Sequence, residues 1–422
     1  MNAKQQKIIE TVDQLKDDII LFAVRLVSEP STLGNETGAV EVMSDELSHL
    51  GLEPVRVSMD TKTLWDHPGF APVPWPYVDK ENVVAVKPAA GRGGRSALFN
   101  GHLDVVSPKP LDFWSFDPYT PFVRDGWLYG RGAGDMKSGV AAMTYALHAM
   151  EKAGFGLNAP VTIEGVIEEE CTGNGALACV AAGYDADAVL IPEPFGATIY
   201  THQVGVLWFK VNVNGTTGHV LSASTGANAI EKCVPLIQAL RKLEADMNAG
   251  ERPPAYRDHD HPLNLNIGIF EGGDWPSTVP ATAAFHCRLS YFPGTPFSEI
   301  RDRVRQTIEE TAAADSWLAE NQPTVKFYGF RSDGHVVDRH LPAFNVLNNC
   351  HRMIAGTDAE EYISTCTTDL RAFHFFGKGQ ATCFGPVAEN IHAADERVNI
   401  DSVIHTAKAY ALFLSEWCGL AE

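Results

Sequence analysis

The sequence predicts an α/β protein in which a larger, mixed-sheet α/β domain is interrupted by a small ferredoxin-like βαββαβ module. Three observations carry this expectation. The chain has 422 residues, about three times a typical domain, so two domains are the natural reading. Apolar strand-like runs alternate with helix-like stretches up to about residue 194. Near residue 203 the order becomes β, α, β, β, α, β, and from residue 341 the helix–loop–strand alternation resumes. The expected division is 1–202 for the first part of the larger domain, 203–330 for the inserted module and 331–422 for the second part.

Each element has its own signal. Ile8, Val12, Leu15, Ile19 and Phe22 recur at intervals of 4, 3, 4 and 3, the stripe of an amphipathic helix. VSEPSTLGNETG reads as a loop, and 39–51 as a second helix ended by glycine. The stretch 65–77, WDHPGFAPVPWPY, holds four prolines and four aromatic residues and is expected to be irregular. It could shape a pocket rim or fold over the surface. NVVAV at 82–86 and SALFNGHLDVV at 96–106 read as strands, and the turn GRGAGD precedes a helix over 138–152. VTIEGVIEEE at 161–170 and DAVLIPEP at 187–194 read as strands flanking a helix at 174–183. Within the module, VGVLWFKVNVNG, LNLNIGIFEGG, TAAFHCRLSYF and TVKFYGF are the strands, with helices at 228–247 and 300–314. A helix at 402–417 comes last.

Composition excludes several classes. Apolar residues make up 45% and charged residues 20%, unlike a disordered or collagen-like chain. Acids minus bases is 53 − 33 = 20, a formal charge of −20, so neither nucleic acid nor an anionic membrane is an expected partner. The eight cysteines form no CxxC pair and read as reduced, buried thiols. There is no run of 18 apolar residues and no basic head followed by an apolar run, so a cytoplasmic location is expected.

Five places could carry chemistry. His102 and Asp104 stand two apart in FNGHLDVV, which on a strand puts both on one face. Asp135 closes GRGAGD at a helix entrance, where a helix cap is the plain alternative. Glu168, Glu169 and Glu170 end an apolar strand and repel one another unless a cation lies there; a solvated edge is the plain alternative. Glu193 follows the apolar run of LIPEP, and His392 sits in the late loop FGPVAENIHAADERV. Ligands of open α/β sheets bind outside the carboxyl ends of strands, where most of these residues fall. Imidazoles with carboxylates suit zinc or a similar divalent ion.

GHLDVV, LYGRGAGDMKSGVAAM, EEECTGNGA, the Glu193–Pro194 pair and IHAADE occur in that order. Together they resemble the di-zinc family of acetylornithine deacetylase, succinyl-diaminopimelate desuccinylase, aminoacylase and glutamate carboxypeptidase, over nearly the whole chain. The resemblance implies a catalytic α/β domain interrupted by a lid that forms a homodimer, with two zinc ions per chain and cobalt or manganese as substitutes. It makes Asp135 the bridge between the ions, with His102 and Glu193 completing one and Glu170 and His392 the other. It makes Asp104 a supporting acid and Glu169, rather than Glu168, the general base. Three carboxylates against two dications leave one positive charge, which a bridging hydroxide would cancel as it supplies the nucleophile. A lid histidine reaching across the dimer to the oxyanion matches His219 in GTTGHV, and a lid arginine for substrate carboxylate matches Arg288. Thr367, Asp369 and Arg371 in CTTDLRAF resemble a segment lining the substrate site.

The chain departs from the family pattern at Ser277, where many relatives have asparagine. In the family it resembles, aspartate at the position of Glu193 goes with aminopeptidases and glutamate with deacylases and carboxypeptidases, so the resemblance implies that the substrate has no free amine there. Cys171 reads as a packed small residue, and His259 and His261 as solvated loop residues. GRGAGD lacks the third glycine of a dinucleotide loop, and no P-loop, HExxH or GxSxG occurs. The expected activity is zinc-dependent hydrolysis of the amide of a small N-acyl amino acid. A carboxypeptidase or dipeptidase is the runner-up. A non-catalytic dimeric metal-binding protein is the alternative of another class, although all seven inner residues are present.

Overall fold

A computed structural model of the protein describes residues 1–421, and at Ser222 the backbone alone. Its buried apolar residues form two clusters. One draws on Ile8 to Tyr200 and again on Ala343 to Cys418; the other is confined to Val204 to Phe330.

The first cluster surrounds a six-stranded mixed sheet. In spatial order its strands are Pro54–Ser58, Glu81–Lys87, Val161–Val166, Ala97–His102, Ala188–Ile191 and Gln380–Cys383. The first two pairings are antiparallel and the remaining three parallel. Ala97–His102, Val161–Val166 and Ala188–Ile191 are buried at every position, as parallel strands covered on both faces must be. The helix Ser138–Lys152 lies against the first two of these, and the terminal helix Ile400–Trp417, capped by Asn399, lies along it.

The structure corrects several boundaries. The N-terminal stripe is buried as expected, yet it belongs to two helices, Ala3–Gln14 and Lys16–Val27, interrupted at Leu15. The strand expected at 96–106 ends at His102, because Leu103 N–H turns to Val166 O and Val105 N–H to Ser31 O. Asp104 therefore lies beyond the strand and does not share a strand face with His102. The strand expected at 161–170 stops at Val166, and Glu168 takes the left-handed conformation (φ 64°). The three glutamates consequently leave a turn in different directions. The strand Pro54–Ser58 had no clear sequence signal, being a half-exposed edge that begins with proline.

The second cluster underlies four strands in the order Leu265–Gly272, Thr282–Tyr291, Gly205–Asn214, Thr324–Ser332, every neighbour antiparallel. The helices Ala229–Ala249 and Phe297–Ala313 bury their apolar sides against one another and this sheet. Two further sheets were not anticipated. Thr198–Gln203 pairs with His335–Val336 and Glu360–Ser364, joining both ends of the small sheet's segment to the larger body. A hairpin, Phe122–Arg124 and Trp127–Tyr129, pairs with Arg397–Asn399, which pairs with Ala388–Glu389. That small sheet brings the late loop carrying His392 against the glycine-rich turn carrying Asp135.

Candidate active site

Five sequence-selected residues converge where the parallel strands end. His102 closes its strand, and its Nδ1 lies 2.9 Å from the carbonyl oxygen of Asp104. A carbonyl only accepts, so Nδ1 carries a proton, which leaves Nε2 as the ring atom that would ligate an ion. Nε2 lies 3.0 Å from Asp135 Oδ1, while the other oxygen of Asp135 lies 3.4 Å from His392 Nε2. His392 Nε2 also lies 3.1 Å from Glu170 Oε1. One ligand atom each of His102, Asp135 and Glu170 fall within 4.8 Å of one another. Glu193 is buried two residues past Ala188–Ile191, close enough for its charge to act on His102. Asp135 thus stands between two imidazoles with one oxygen toward each, and this nitrogen-and-oxygen donor set fits a zinc-like divalent ion.

The electrostatics express a demand for positive charge. Burial alone would lower His102, but Asp135, Asp104 and Glu193 outweigh it and hold its pKa well above the ordinary value. Glu170 above all, against burial, pushes His392 up to about 11. Burial would raise Asp135, yet His102 and His392 bring it below the usual carboxylate range. Glu193 is raised by burial and by Asp135, and burial pushes Asp104 up to about 7 against the pull of His102. Carboxylates gathered out of water hold protons or cations.

The turn after Val166 divides its glutamates by how their oxygens are used. Glu168 accepts from Trp75 Nε1 (2.8 Å), Tyr77 OH (2.6 Å) and Thr172 Oγ1 (3.0 Å), and pairs with Lys80 (3.0 Å), which also pairs with Glu36 at 2.5 Å. Asn174 holds the same loop through the N–H and C=O of Ala71. The stretch 65–77 is therefore tied to the base of the site. Glu169 is buried, and its Oε1 has no hydrogen-bond partner among the described residues. Burial and then Asp369 raise its pKa well above the ordinary value. The side chain of Asp104 accepts the backbone N–H groups of Glu169 (3.2 Å) and Glu170 (3.1 Å), coupling the His102 loop to this turn.

Arg371 lies behind Glu169, with Nη1 3.8 Å from Oε1. Its Nη1 donates to Thr367 Oγ1 and Thr368 O, both at 3.1 Å, and the guanidinium covers the Phe330 ring. Gly173, at φ 69°, leaves room for it, since a Cβ there would strike the guanidinium. Asp369 is buried beside Arg371 with neither carboxylate oxygen hydrogen-bonded among the described residues.

A cavity of about 360 Å³ lies between the convergent residues and the open face of the four-stranded sheet. Glu169, Glu170, His392 and Thr367 line one side, Trp208 and Arg288 the other. Arg288 makes no side-chain hydrogen bond or ion pair among the described residues, and burial lowers its pKa from the ordinary arginine value. His219 is placed elsewhere. It is exposed in the short pairing of Gly218–His219 with Thr278–Val279, where Ser277 O accepts from Val220 N–H. His261 pairs with Glu244 at 3.2 Å, so it is less free than its sequence context implied.

One supporting residue escaped the sequence reading. Glu396 is fully buried and accepts from the N–H groups of Gly132 (3.0 Å), Gly134 (2.9 Å) and Asp135 (2.9 Å) and from Arg131 Nη1 (2.5 Å). Arg131 Nη2 donates to Ala393 O at 3.1 Å. These bonds lock the turn presenting Asp135 to the loop presenting His392.

Comparisons with known proteins agree with this geometry. The chain is 26% identical to N-formyl-4-amino-5-aminomethyl-2-methylpyrimidine deformylase of Halalkalibacterium halodurans, covering 99% of this chain and 98% of that protein. It is 28% identical to acetylornithine deacetylase of Myxococcus xanthus, covering 81% and 85% respectively. The fold matches the di-peptidase Dug1p of Saccharomyces cerevisiae with a TM-score of 0.80, covering all of both chains at 14% identity. The model of peptidase family M20/M25/M40 matches residues 98–416, a span holding His102 and every convergent residue after it. The chain therefore belongs to peptidase family M20/M25/M40, whose members hydrolyse amide bonds.

Proposed function

We propose that the protein hydrolyses the amide of an N-acyl amino acid, in a centre of two zinc-like ions held by His102, Asp135, Glu170, Glu193 and His392. The observation that carries this reading is Arg288, a half-buried cation without a partner among the described residues that lines the same cavity as Glu169 and Glu170. A guanidinium so placed suits a carboxylate through two parallel hydrogen bonds. It also argues against an aminomethylpyrimidine substrate such as the deformylase relative's name describes, which carries no carboxylate.

A divalent ion bound here supplies Lewis acidity toward the amide carbonyl and makes water more acidic. The chain's own residues do the rest. Arg288 holds the carboxylate and so orients the scissile amide. Glu169, with one oxygen unpartnered, takes the proton of the attacking water and delivers it to the leaving nitrogen. Arg371, behind Glu169, offsets its negative charge.

His219 cannot serve the cleft of its own chain from an exposed turn, so we assign it to the cleft of a second copy. The surface favours self-association: the edge strand Leu265–Gly272 exposes Ile269 and Phe270, and nearby Trp275 is 68% and Leu221 87% exposed. All eight cysteines are free and seven are buried, which suits the reducing cytoplasm. Among the described residues no helix is long and apolar enough to cross a membrane.

The test is amine release from N-formyl, N-acetyl, N-succinyl and N-carbamoyl amino acids and from dipeptides, with Glu169→Ala as the blank. Release from acyl amino acids is expected. Cleavage of dipeptides alone would replace the deacylase reading with a dipeptidase, and bound metal without any turnover would leave only a binding protein.

A further inference from the structure

A second, larger cavity of about 1020 Å³ adjoins the same centre, and Arg288 is not part of its lining. Asp104, Glu170 and Cys171 mark its junction with the centre, and it shares Val106, Trp208, Ile269 and Tyr328 with the Arg288 cavity. The two are therefore halves of one cleft divided at Glu170. Their chemistries differ. The Arg288 half offers Asn266, His286 and Thr367 beside the guanidinium. The larger half is walled by Leu33, Trp75, Val105, Leu111, Phe116 and Tyr119, and beyond the junction its only charged lining residues are Lys109 and Asp117.

The apolar wall is held in place by hydrogen bonds. Trp75 is fixed by its indole N–H to Glu168. The loop bearing Lys109 and Leu111 is pinned by Trp114 Nε1 donating to Pro108 O at 2.8 Å. Phe116 sits edge-on to Trp114, Phe122 and Tyr129, with ring centroids 4.9 to 5.9 Å apart. A volume at the upper end of ~300–1,000 Å³ ligand pockets is far more than a formyl or acetyl group fills, and water against such a wall is poorly satisfied.

Resting on the deacylase reading, we propose that the acyl group this enzyme removes is aromatic or aryl-alkyl, seated against Trp75, Leu111 and Phe116 while Arg288 holds the amino-acid carboxylate on the other side of the scissile bond. In this chain the 65–77 loop is then a specificity element: its Trp75 forms a wall of the acyl site, and its anchor, Glu168, neighbours the general base.

The experiment compares N-benzoyl, N-phenylacetyl, N-acetyl and N-formyl derivatives of one amino acid, and dipeptides, on the zinc-loaded full-length protein. Binding of the same compounds to zinc-loaded Glu169→Gln is measured by calorimetry. The expected result is kcat/KM at least tenfold higher, and Kd at least tenfold lower, for the aryl compounds than for N-acetyl. Leu33→Glu and Leu111→Glu, at positions 46% and 55% exposed and so able to accept charge without disturbing the core, should each cut the aryl-to-acetyl ratio at least fivefold. Equal or preferred cleavage of the N-acetyl or N-formyl compound would overturn the acyl-site assignment and leave the deacylase reading intact. Release from dipeptides with none from any acyl amino acid would overturn both.

Discussion

Glu396→Gln tests whether one buried carboxylate holds the centre together. The native side chain accepts from three backbone N–H groups and from Arg131, two donors to each oxygen. Glutamine offers one oxygen and one NH2, so in either orientation two donors face another donor. A hydrogen bond to a buried charged group contributes ~1.5–3 kcal/mol, and losing two costs about 4 kcal/mol. Since 1 kcal/mol shifts the melting point of a large domain by ~2 °C or more, a fall of roughly 8 °C is expected. With the glutamine oxygen kept toward the charged Arg131, the lost donors are the N–H groups of Gly134 and of Asp135 itself, so divalent-ion affinity should fall ~10–100-fold, as it does when partners of metal ligands are removed. Differential scanning calorimetry and competition with a chromophoric chelator read the two effects separately. A melting point within ~2 °C of the parent, with unchanged metal affinity, would refute the reasoning.

Other perturbations are more direct. Glu169→Gln should lower turnover ~10²–10⁴-fold with metal content unchanged, and an active variant would remove Glu169 from the mechanism. Glu169→Gln and His219→Ala should each be inactive alone. Mixed and re-equilibrated, they should regain about a quarter of parental activity, because half of the twofold dimers are mixed and each mixed dimer has one intact site. No recovery would return His219 to a surface role. His335 is buried with its ring 4.3 Å from that of His374, and burial, then His374, pushes its pKa down to about 3. The unfolded residue titrates near ~6.5, so its stabilisation is complete above that pH and declines as pH falls toward about 3, by up to ~1.4 kcal/mol per pH unit. His335→Gln should flatten the acid limb of a urea-denaturation pH profile, and an unchanged limb would contradict this.

What the sequence made legible is what local periodicity encodes. The Ile8-to-Phe22 stripe, the buried parallel strands and the βαββαβ order of the small sheet each leave a pattern within a dozen residues. Strand ends were overrun at 103–106 and 167–170, because Leu103, Val105, Val106 and Ile167 continue the apolar runs while the backbone at 103, 105 and 167 has already found other partners and turns at Glu168. The supporting contacts were invisible for another reason. Arg131 and Glu396 are 265 positions apart, and Tyr77 and Glu168 are 91 apart. Neither end of such a pair carries a periodic signal, and a surface glutamate is the ordinary expectation for each. Thr198–Gln203 escaped similarly: its partners lie on strands brought back only after the small module is complete.

The site contains more acid than its chemistry uses, and the fold sorts these acids by their lone pairs. Glu168, Glu396 and Asp104 each accept from several fixed donors, mostly backbone or tryptophan N–H groups, and thereby hold a loop. Such a carboxylate has few lone pairs left for a metal. Glu169 keeps an oxygen with no partner although it is buried, which costs stability unless something in the working enzyme supplies one. Neighbouring residues of identical type, Glu168 and Glu169, thus receive opposite roles from a single left-handed backbone position. Glu168 turns toward Trp75 and Tyr77, and the next side chain is thrown toward the cleft.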